Sequence, residues 1–158
     1  MRTGPEEHPL AILGAAAADG DELACLHARL FEPGWDAASF AKLLAHPASL
    51  AFVARLPQPR AVVGFIMAQV AGGEAEILTL GVHKDRQRQG IATRLLAAIL
   101  CAAGQRKLER LYLEVAASNR AAIAFYQRAG FAPIGRRAAY YQRARQRAED
   151  ALLLARAL

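Results

Sequence analysis

A polar, basic loop lies between a strand-like segment and a helix-like segment, and its residue types suit an anionic ligand. After Val82 the chain reads His-Lys-Asp-Arg-Gln-Arg-Gln, and Gly90 then precedes an apolar run that begins at Ile91. The N–H groups at a helix N-terminus lack intrahelical partners and carry partial positive charge, so they bind phosphates. Gly90 lets the backbone approach a pyrophosphate closely, and Ala92 leaves the first turn unobstructed. Positive potential is added by Arg86, Arg88 and Arg94. The pattern predicts a diphosphate site, although a solvated loop beside a helix start gives the same pattern.

A second segment brings a carboxylate, an amide and a phenol close together in sequence. Glu114 shares one face of a predicted strand with Tyr112, while the alternate residues are apolar. It is either a functional carboxylate or an exposed ion-pair partner. Asn119 can cap the helix that follows. Tyr126 lies on the apolar stripe of that helix, where an aromatic side chain usually belongs to the core.

These segments must be held by a mixed sheet with helices on its faces. Apolar alternation and turn residues predict strands at 9–13, 50–56, 61–70, 75–83, 111–116, 131–141 and 150–157. Helical spacing predicts helices that start near residues 19–21, 36, 91 and 118–119, the third of them ended by Gly104. The order is β-α-α-β-β-β-α-β-α-β-β, which predicts an α/β fold with a mixed sheet. We expect a single domain over 1–158, with residues 1–8 as a loose start.

Composition excludes several classes of protein and leaves others open. The chain has 158 residues, 54% hydrophobic and 22% charged, with a formal net charge of +6, which suits an anionic partner. It has no P-loop or Rossmann glycine pattern, no Cys/His cluster for zinc, and no run that could span a bilayer. Acidic residues before the apolar stretch at 10–18 argue against a signal peptide. Cys25 and Cys101 are expected to be buried, reduced thiols, which fits the cytoplasm.

The two segments together resemble the GNAT acetyltransferases. Gln87-x-x-Gly90-x-Ala92 is similar to the acetyl-CoA motif of that family. The second motif is matched by Leu113-Glu114-Val115, Ser118-Asn119, Ala122, Tyr126 and Gly130-Phe131. The chain further resembles the RimI-type ribosomal-protein alanine N-acetyltransferases in 31–35, 136–141 and 149–151, so the resemblance covers residues 9–157.

The resemblance implies a GNAT fold and a role for each matched residue. Backbone groups of Leu80, Gly81 and Val82 would pair with the pantetheine arm of acetyl-CoA. The pyrophosphate would be held by the amides of Gln87, Arg88, Gln89, Gly90, Ile91, Ala92 and Thr93. Asn119 would contact the pantetheine part, Glu114 would be the general base and Tyr126 the general acid. The peptide acceptor would contact Trp35, Tyr140 and Tyr141.

The implied chemistry agrees with ordinary proton affinities. A protein α-amine has a pKa of about 8, so a useful fraction is neutral near pH 7, whereas a lysine amine near 10.4 is almost fully protonated. A thiolate leaving group with a pKa of about 8.5 can be protonated by a tyrosine. An α-amine is therefore the easier acceptor, although lysine remains open.

We expect transfer of an acetyl group from acetyl-CoA to a protein N-terminal α-amine, with the N-terminal alanine of the eighteenth small-subunit ribosomal protein as the target that the resemblance implies. No metal, membrane or nucleic-acid partner is expected. Two alternatives are a GNAT enzyme acting on a small amine or lysine, and a non-catalytic acyl-CoA or nucleic-acid binding module. The arginine-rich segment 136–147 is a solvated turn, a nucleic-acid patch or a substrate contact. It is more basic than the RimI pattern, and His83 and the acidic residues 149–150 have no assigned role.

Overall fold

The computed structural model describes residues 9–141 and 148–158 and contains the predicted order of elements. The expectations for residues 1–8, and for the arginines at 143, 145 and 147, fall outside the described residues. The strands are β1 Ala11–Gly14, β2 Ser49–Pro57, β3 Arg60–Ala71, β4 Glu74–Val82, β5 Arg110–Ala116, β6 Ala132–Tyr141 and β7 Glu149–Ala157. The helices are α1 Gly20–Leu30, α2 Ala37–Ala45, α3 Ile91–Gln105 and α4 Arg120–Arg128. Short 3-10 turns lie at Ala17–Asp19 and Lys84–Arg86.

The strands form a seven-stranded sheet in the order β1-β2-β3-β4-β5-β7-β6. β4 pairs parallel with β5, while β1 pairs antiparallel with β2 and β7 pairs antiparallel with both β5 and β6. The predicted mixed sheet is therefore confirmed. Within the described chain, no helix combines the length and apolar character that crossing a membrane requires.

Two compact units divide the chain, and β3 and β4 each contribute residues to both. The first unit comprises the chain up to Ala68 together with Thr79–Ala102, and the second comprises Gln69–Leu78 and Ala103–Leu158. The core of the first unit lies where α1 and α2 pack on β2 and β3. Its buried members are Leu23, Leu26, Phe40, Val53, Val62, Phe65 and Met67. Asp36 caps α2 as predicted, because its carboxylate accepts a hydrogen bond from the Ser39 amide at 2.7 Å.

A buried ion pair fastens α1 of the first unit to β2. The guanidinium of Arg55 donates to Asp19 Oδ1 at 2.6 Å and lies 3.3 Å from Glu22 Oε1. The other oxygen of Glu22 accepts from the Val62 amide at 3.0 Å. The hydrogen bond from the Val62 amide lowers the pKa of Glu22, and Arg55 lowers it further, whereas burial raises it. The two carboxylates therefore compensate the positive charge of the Arg55 guanidinium, which would otherwise be buried without a partner.

The second unit consists of β5, β6, β7 and α4, together with the last residues of β3 and α3 and the first part of β4. Leu111, Leu113 and Leu154 are buried on one face of its strands. On that face, Arg156 donates to the carbonyl of Ala129 at the end of α4, at 2.7 Å. β6 carries an irregularity between Arg137 and Tyr141, where Ala139 adopts a φ of 53°.

Two expectations from the sequence were wrong. Cys25 and Cys101 are both exposed rather than buried. In α1 the buried residues are Leu23, Leu26 and His27, and a helical rotation of about 100° per residue turns position 25 away from them. The predicted end of α3 at Gly104 is also wrong, because the helix continues to Gln105.

Candidate functional site

The loop after β4 is fixed at its start and exposed over the rest of its length. The His83 amide donates to the Val63 carbonyl at 2.8 Å, and the 3-10 turn Lys84–Arg86 follows. Gln87 then turns its side chain inward, so that its Nε2 donates to the Val82 carbonyl at 3.0 Å. This hydrogen bond closes the loop on itself. The side chain of Gln87 therefore has a structural role: it helps to hold the loop in position before the turn at Gly90.

The turn that follows directs backbone amides outward at the start of α3. Arg88 and Gly90 have φ values of 61° and 78°, in the left-handed region that suits glycine. The first amide to bond back to the Gly90 carbonyl is that of Arg94, at 3.1 Å. The amides of the three preceding residues, 91–93, therefore belong to the first turn, where no intrahelical acceptor exists. Apart from its two chain neighbours, no atom of residues 9–141 and 148–158 lies within 4 Å of a Cβ built on Gly90, so these residues leave the space over the turn open.

The predicted positive charge around this turn is only partly available. Arg94 donates to the Leu10 carbonyl at 2.9 Å and so ties α3 to the start of β1. Arg86 and Arg88 are exposed. The geometry of open amides and two free-standing basic side chains fits a diphosphate group.

Gly81 lets two large side chains close over the end of β4. A Cβ at this position would lie 2.7 Å from the Phe65 ring and 2.8 Å from Leu30 Cδ1. A larger residue would displace α1 or β3. The glycine therefore fixes the path of the backbone at Leu80, Gly81 and Val82, which the resemblance assigned to the pantetheine arm.

In the second unit, Glu114 is held in an ion pair. Its side chain is 14% exposed, and Oε1 lies 2.9 Å from Nη2 of Arg137 on β6. Glu76 lies on the neighbouring strand β4. Burial raises the pKa of Glu76, the charge of Glu114 raises it further, and the charge of Arg137 opposes both. The carboxylate that the sequence singled out thus belongs to a cluster of two carboxylates and one guanidinium.

Tyr126 is 6% exposed and packs in an aromatic cluster of α4. Its ring centroid lies 5.1 Å from that of Phe125 and 5.4 Å from that of Phe131, both edge-on. Burial raises the pKa of Tyr126, so the phenol stays protonated throughout the neutral range. The packing fits a core residue, and the protonated hydroxyl also fits a proton donor.

Asn119 caps α4, because its Oδ1 accepts from the Ala122 amide at 3.2 Å. This confirms the capping alternative. It leaves the side-chain NH₂ group as the part of the residue that a ligand could use.

The three residues predicted to contact the acceptor have different surroundings. Trp35 is half-buried, donates its amide to His27 Nδ1 at 3.1 Å, and stacks on the His27 ring at 4.9 Å. Tyr140 is 48% exposed, with the Arg137 guanidinium 4.5 Å above its ring. The backbone of Tyr141 ends β6, and its side chain lies outside the described part of the structure.

Two residues that matter here, His27 and Glu76, were not identified from the sequence, and Arg137 was noted only as part of the arginine-rich segment 136–147. His27 is buried among aromatic rings, and desolvation lowers its pKa, so it accepts a hydrogen bond as a neutral imidazole. Glu76 alternates with apolar residues along β4, a signal that was readable. Arg137 meets Glu114 across an intervening strand, and no sequence spacing indicates that pairing.

His83, to which the sequence assigned no role, makes a local turn contact. Its Nδ1 accepts a hydrogen bond from the Asp85 amide at 3.2 Å.

The acidic residues 149–150 also have structural partners. Asp150 accepts from Arg136 Nε at 2.6 Å and from the Ala139 amide at 2.9 Å, which pins the irregular part of β6. Glu149 Oε1 accepts from the Ser118 amide at 2.8 Å. Over residues 9–141 and 148–158, no group of three or more His, Cys, Asp or Glu side chains is arranged to hold a metal ion.

Known proteins share both the sequence pattern and the fold. The acetyltransferase (GNAT) family model matches residues 20–131. The chain is 35% identical to a mycothiol acetyltransferase of Clavibacter michiganensis over 82% of its own length and 46% of the relative's, so it spans about half of that protein. It is 38% identical to the [ribosomal protein bS18]-alanine N-acetyltransferase of Escherichia coli K12, over 64% of this chain and 68% of that one.

A solved structure agrees over nearly the whole chain. The crystal structure of the ribosomal-protein-S18-alanine N-acetyltransferase from Escherichia coli superposes with a TM-score of 0.86 at 30% identity, covering 94% of each chain. The resemblance to RimI-type enzymes and the expected mixed α/β GNAT fold are confirmed. On its motifs, its fold and the match over residues 20–131, the chain belongs to the acetyltransferase (GNAT) family.

Proposed function

We propose that this protein transfers an acetyl group from acetyl-CoA to the N-terminal α-amine of a protein. The observation that carries the proposal is the turn at Gly90, whose outward amides and neighbouring arginines suit a diphosphate. The likeness, in sequence and in solved structure, to the Escherichia coli enzyme named for acetylating the alanine of a ribosomal protein supports the same acceptor class. The target that we favour is accordingly the N-terminal alanine of the eighteenth small-subunit ribosomal protein.

Acetyl-CoA supplies the thioester, and the residues around the Gly90 turn would hold it. The amides from Arg88 to Thr93 would bind the pyrophosphate, with Arg86 and Arg88 balancing its charge. The Gln87 amide, which the resemblance also assigned to this group, donates to the Lys84 carbonyl at 3.4 Å. Backbone groups at 80–82 would pair with the pantetheine arm, and the Asn119 amide group would contact it. None of these contacts needs a metal ion, because amides and guanidinium groups meet the charge of the phosphates.

In the proposed reaction, the neutral α-amine forms the new C–N bond as the C–S bond breaks. Glu114 accepts the proton that the nitrogen loses, directly or through one water. Tyr126 donates a proton to the departing sulfur, so the products are the acetylated amine and a neutral thiol. The proton on Glu114 then returns to Tyr126 through solvent, and both groups regain their starting forms.

A small-molecule amine is the second candidate acceptor. The chain is 35% identical over 142 residues to a mycothiol acetyltransferase, which is named for a compound other than a protein. Such an enzyme would use the same acetyl-CoA site and the same two proton-transfer groups. The two proposals differ only in the acceptor. We further propose that the enzyme works in the cytoplasm, where exposed thiols such as those of Cys25 and Cys101 stay reduced.

Mass spectrometry of acceptor mixtures tests the proposal. We would supply acetyl-CoA with the N-terminal peptide of that ribosomal protein, the same peptide with a blocked N-terminus and one lysine, and a panel of small amines. The expected result is one added acetyl group on the free N-terminus. Acetylation confined to a small amine would replace the first proposal with the second, and RNA binding without any acetyl transfer would refute both.

A further inference from the structure

Charged side chains cover one face of β4 and β5 in the second unit. The parallel register places Glu74 opposite Arg110 and Glu76 opposite Tyr112. Glu114 follows two residues after Tyr112 and so points to the same side. Glu74 and Arg110 pair at 2.6 Å. The two remaining carboxylates, Glu76 and Glu114, face the guanidinium of Arg137.

Arg137 reaches Glu114 from β6, across the whole width of β7. In the register, Arg137 is opposite Ala151, and Ala151 is opposite Ala116 on β5. The methyl side chain of Ala151 leaves a path for the long arginine, which then meets Glu114 two residues before Ala116. On its other side, the guanidinium lies 4.5 Å over the Tyr140 ring. Arg137 is therefore held in place from two sides while it remains 52% exposed.

The charges of the cluster act on one another. Burial and the negative charge of Glu114 raise the pKa of Glu76, whereas Arg137 lowers it. Burial also raises the pKa of Tyr112, as do the carboxylates Glu76, Glu74 and Glu114, and Arg110 opposes them. Arg137 is the cation that acts on the carboxylate pair, and Arg110 is occupied by Glu74.

We propose that Arg137 is a positioning residue that occupies the place of the acceptor's ammonium group. Its guanidinium pairs with Glu114, with Glu76 beside it on the neighbouring strand, until the ammonium group of an acceptor displaces it. An ammonium group and a guanidinium both make charge-assisted hydrogen bonds to a carboxylate, so the two compete for Glu114. The bound ammonium gives one proton to solvent before the neutral amine attacks. The proposal rests on the acetyltransfer proposed above and adds that an acceptor must displace an internal cation.

Substitution of Arg137 separates this role from a purely structural one. At pH 8.5, Arg137→Ala lowers the KM for the acceptor peptide by about two- to fivefold, the scale of a partly exposed ion pair. As pH is lowered, the KM of the same variant begins to rise at a higher pH than that of wild type, because Glu76 without its cation keeps its proton to higher pH. Arg137→Lys, which retains the charge, restores the wild-type pH dependence. Arg110→Ala is the matched control, since it removes the other arginine–glutamate pair of this face.

Carbon-detected NMR titration of the Glu76 carboxyl gives a readout that does not depend on turnover. We expect its pKa to rise in Arg137→Ala, fall in Glu114→Gln and stay constant in Arg110→Ala, with thermal melts showing that each variant is folded. Equal KM values and equal titrations in Arg137→Ala and Arg110→Ala would overturn the proposal. If the pKa of Glu76 changes as expected in the variants but no amine is acetylated, the proposed function is overturned and the electrostatic effect of Arg137 on the two carboxylates is retained. Acetylation with an unmoved titration would overturn only the role of Arg137.

Discussion

Replacing Tyr126 with phenylalanine separates two roles that the structure allows for this residue. The ring packs edge-on against Phe125 and Phe131, at 5.1 and 5.4 Å between centroids. Tyr126→Phe keeps both contacts and removes one oxygen atom. If the residue were only part of the core, this change would leave catalysis unaltered.

The expected sizes of the two effects differ widely. Truncating a buried aromatic residue to alanine costs about 3–5 kcal/mol, but the phenylalanine variant retains the ring, so we expect a loss below about 1 kcal/mol. For a chain of this length that is a shift of roughly 2–4 °C in Tm. Loss of a general acid lowers kcat about 100-fold or more, equivalent to about 3 kcal/mol.

The assay measures kcat from thiol release at saturating acetyl-CoA and acceptor, alongside a thermal melt. The pH profile provides a second test. Because burial raises the folded-state pKa of Tyr126 above that of the unfolded chain, the protonated form persists as pH rises, and Tyr126 should add no alkaline limb between pH 6 and 9. A variant with at least a third of the wild-type kcat would refute the acid role and leave Tyr126 as a core residue.

Three further predictions concern the first unit. Gly90→Val strains a φ of 78° and covers the open turn, so calorimetry should show CoA binding weakened about tenfold or more. Because burial lowers the pKa of His27 in the folded state, its contribution to stability is complete above the unfolded pKa of 6.5 and is lost as pH falls below it. Urea unfolding at pH 7.5 and 5.5 should show a lower free energy of unfolding at the lower pH, by at most about 1.4 kcal/mol per pH unit, in the wild-type protein. The variant His46→Gln, at an exposed position, should show the same loss, and His27→Gln should not. Asp19→Ala should cost about 3 kcal/mol in denaturant unfolding, because it removes the closer partner of the buried Arg55 guanidinium and leaves it the longer contact to the more exposed Glu22. A loss below about 1 kcal/mol would contradict that view.

The order of helices and strands could be predicted because the hydrophobic periodicity of each segment agrees with the turn and capping residues at its ends. The four helices and seven strands begin within a few residues of their predicted starts. Asp36 and Asn119 cap helices where the sequence placed caps, since capping depends on residues only three positions away. Such local signals survive without knowledge of the tertiary structure.

The predictions failed where the result depends on rotation or on distant partners. Cys25 and Cys101 are apolar by type, but the helical phase turns them away from the buried stripe. Arg94 was expected to face an anion, yet it bonds to the Leu10 carbonyl, 84 residues away in the chain. The pairing of Arg137 with Glu114 depends on the order in which β5, β7 and β6 lie side by side, and spacing does not encode that order.

The candidate site divides in the same way. The turn at Gly90 was predictable, because a glycine between a basic loop and a helix commonly adopts a positive φ, as Gly90 does here. The local surroundings of Glu114 and Tyr126 were not, because burial, the Arg137 contact and the aromatic cluster arise only on folding. Their roles as base and acid therefore remain predictions.

Isothermal titration of the full chain with CoA and with acetyl-CoA is the most direct measurement, since the proposed transfer requires the cofactor to bind at the amides of residues 91–93. We expect saturable binding of both compounds at one site per chain, weakened in Gly90→Val. A folded wild-type protein that takes up neither compound at millimolar concentration would contradict the account.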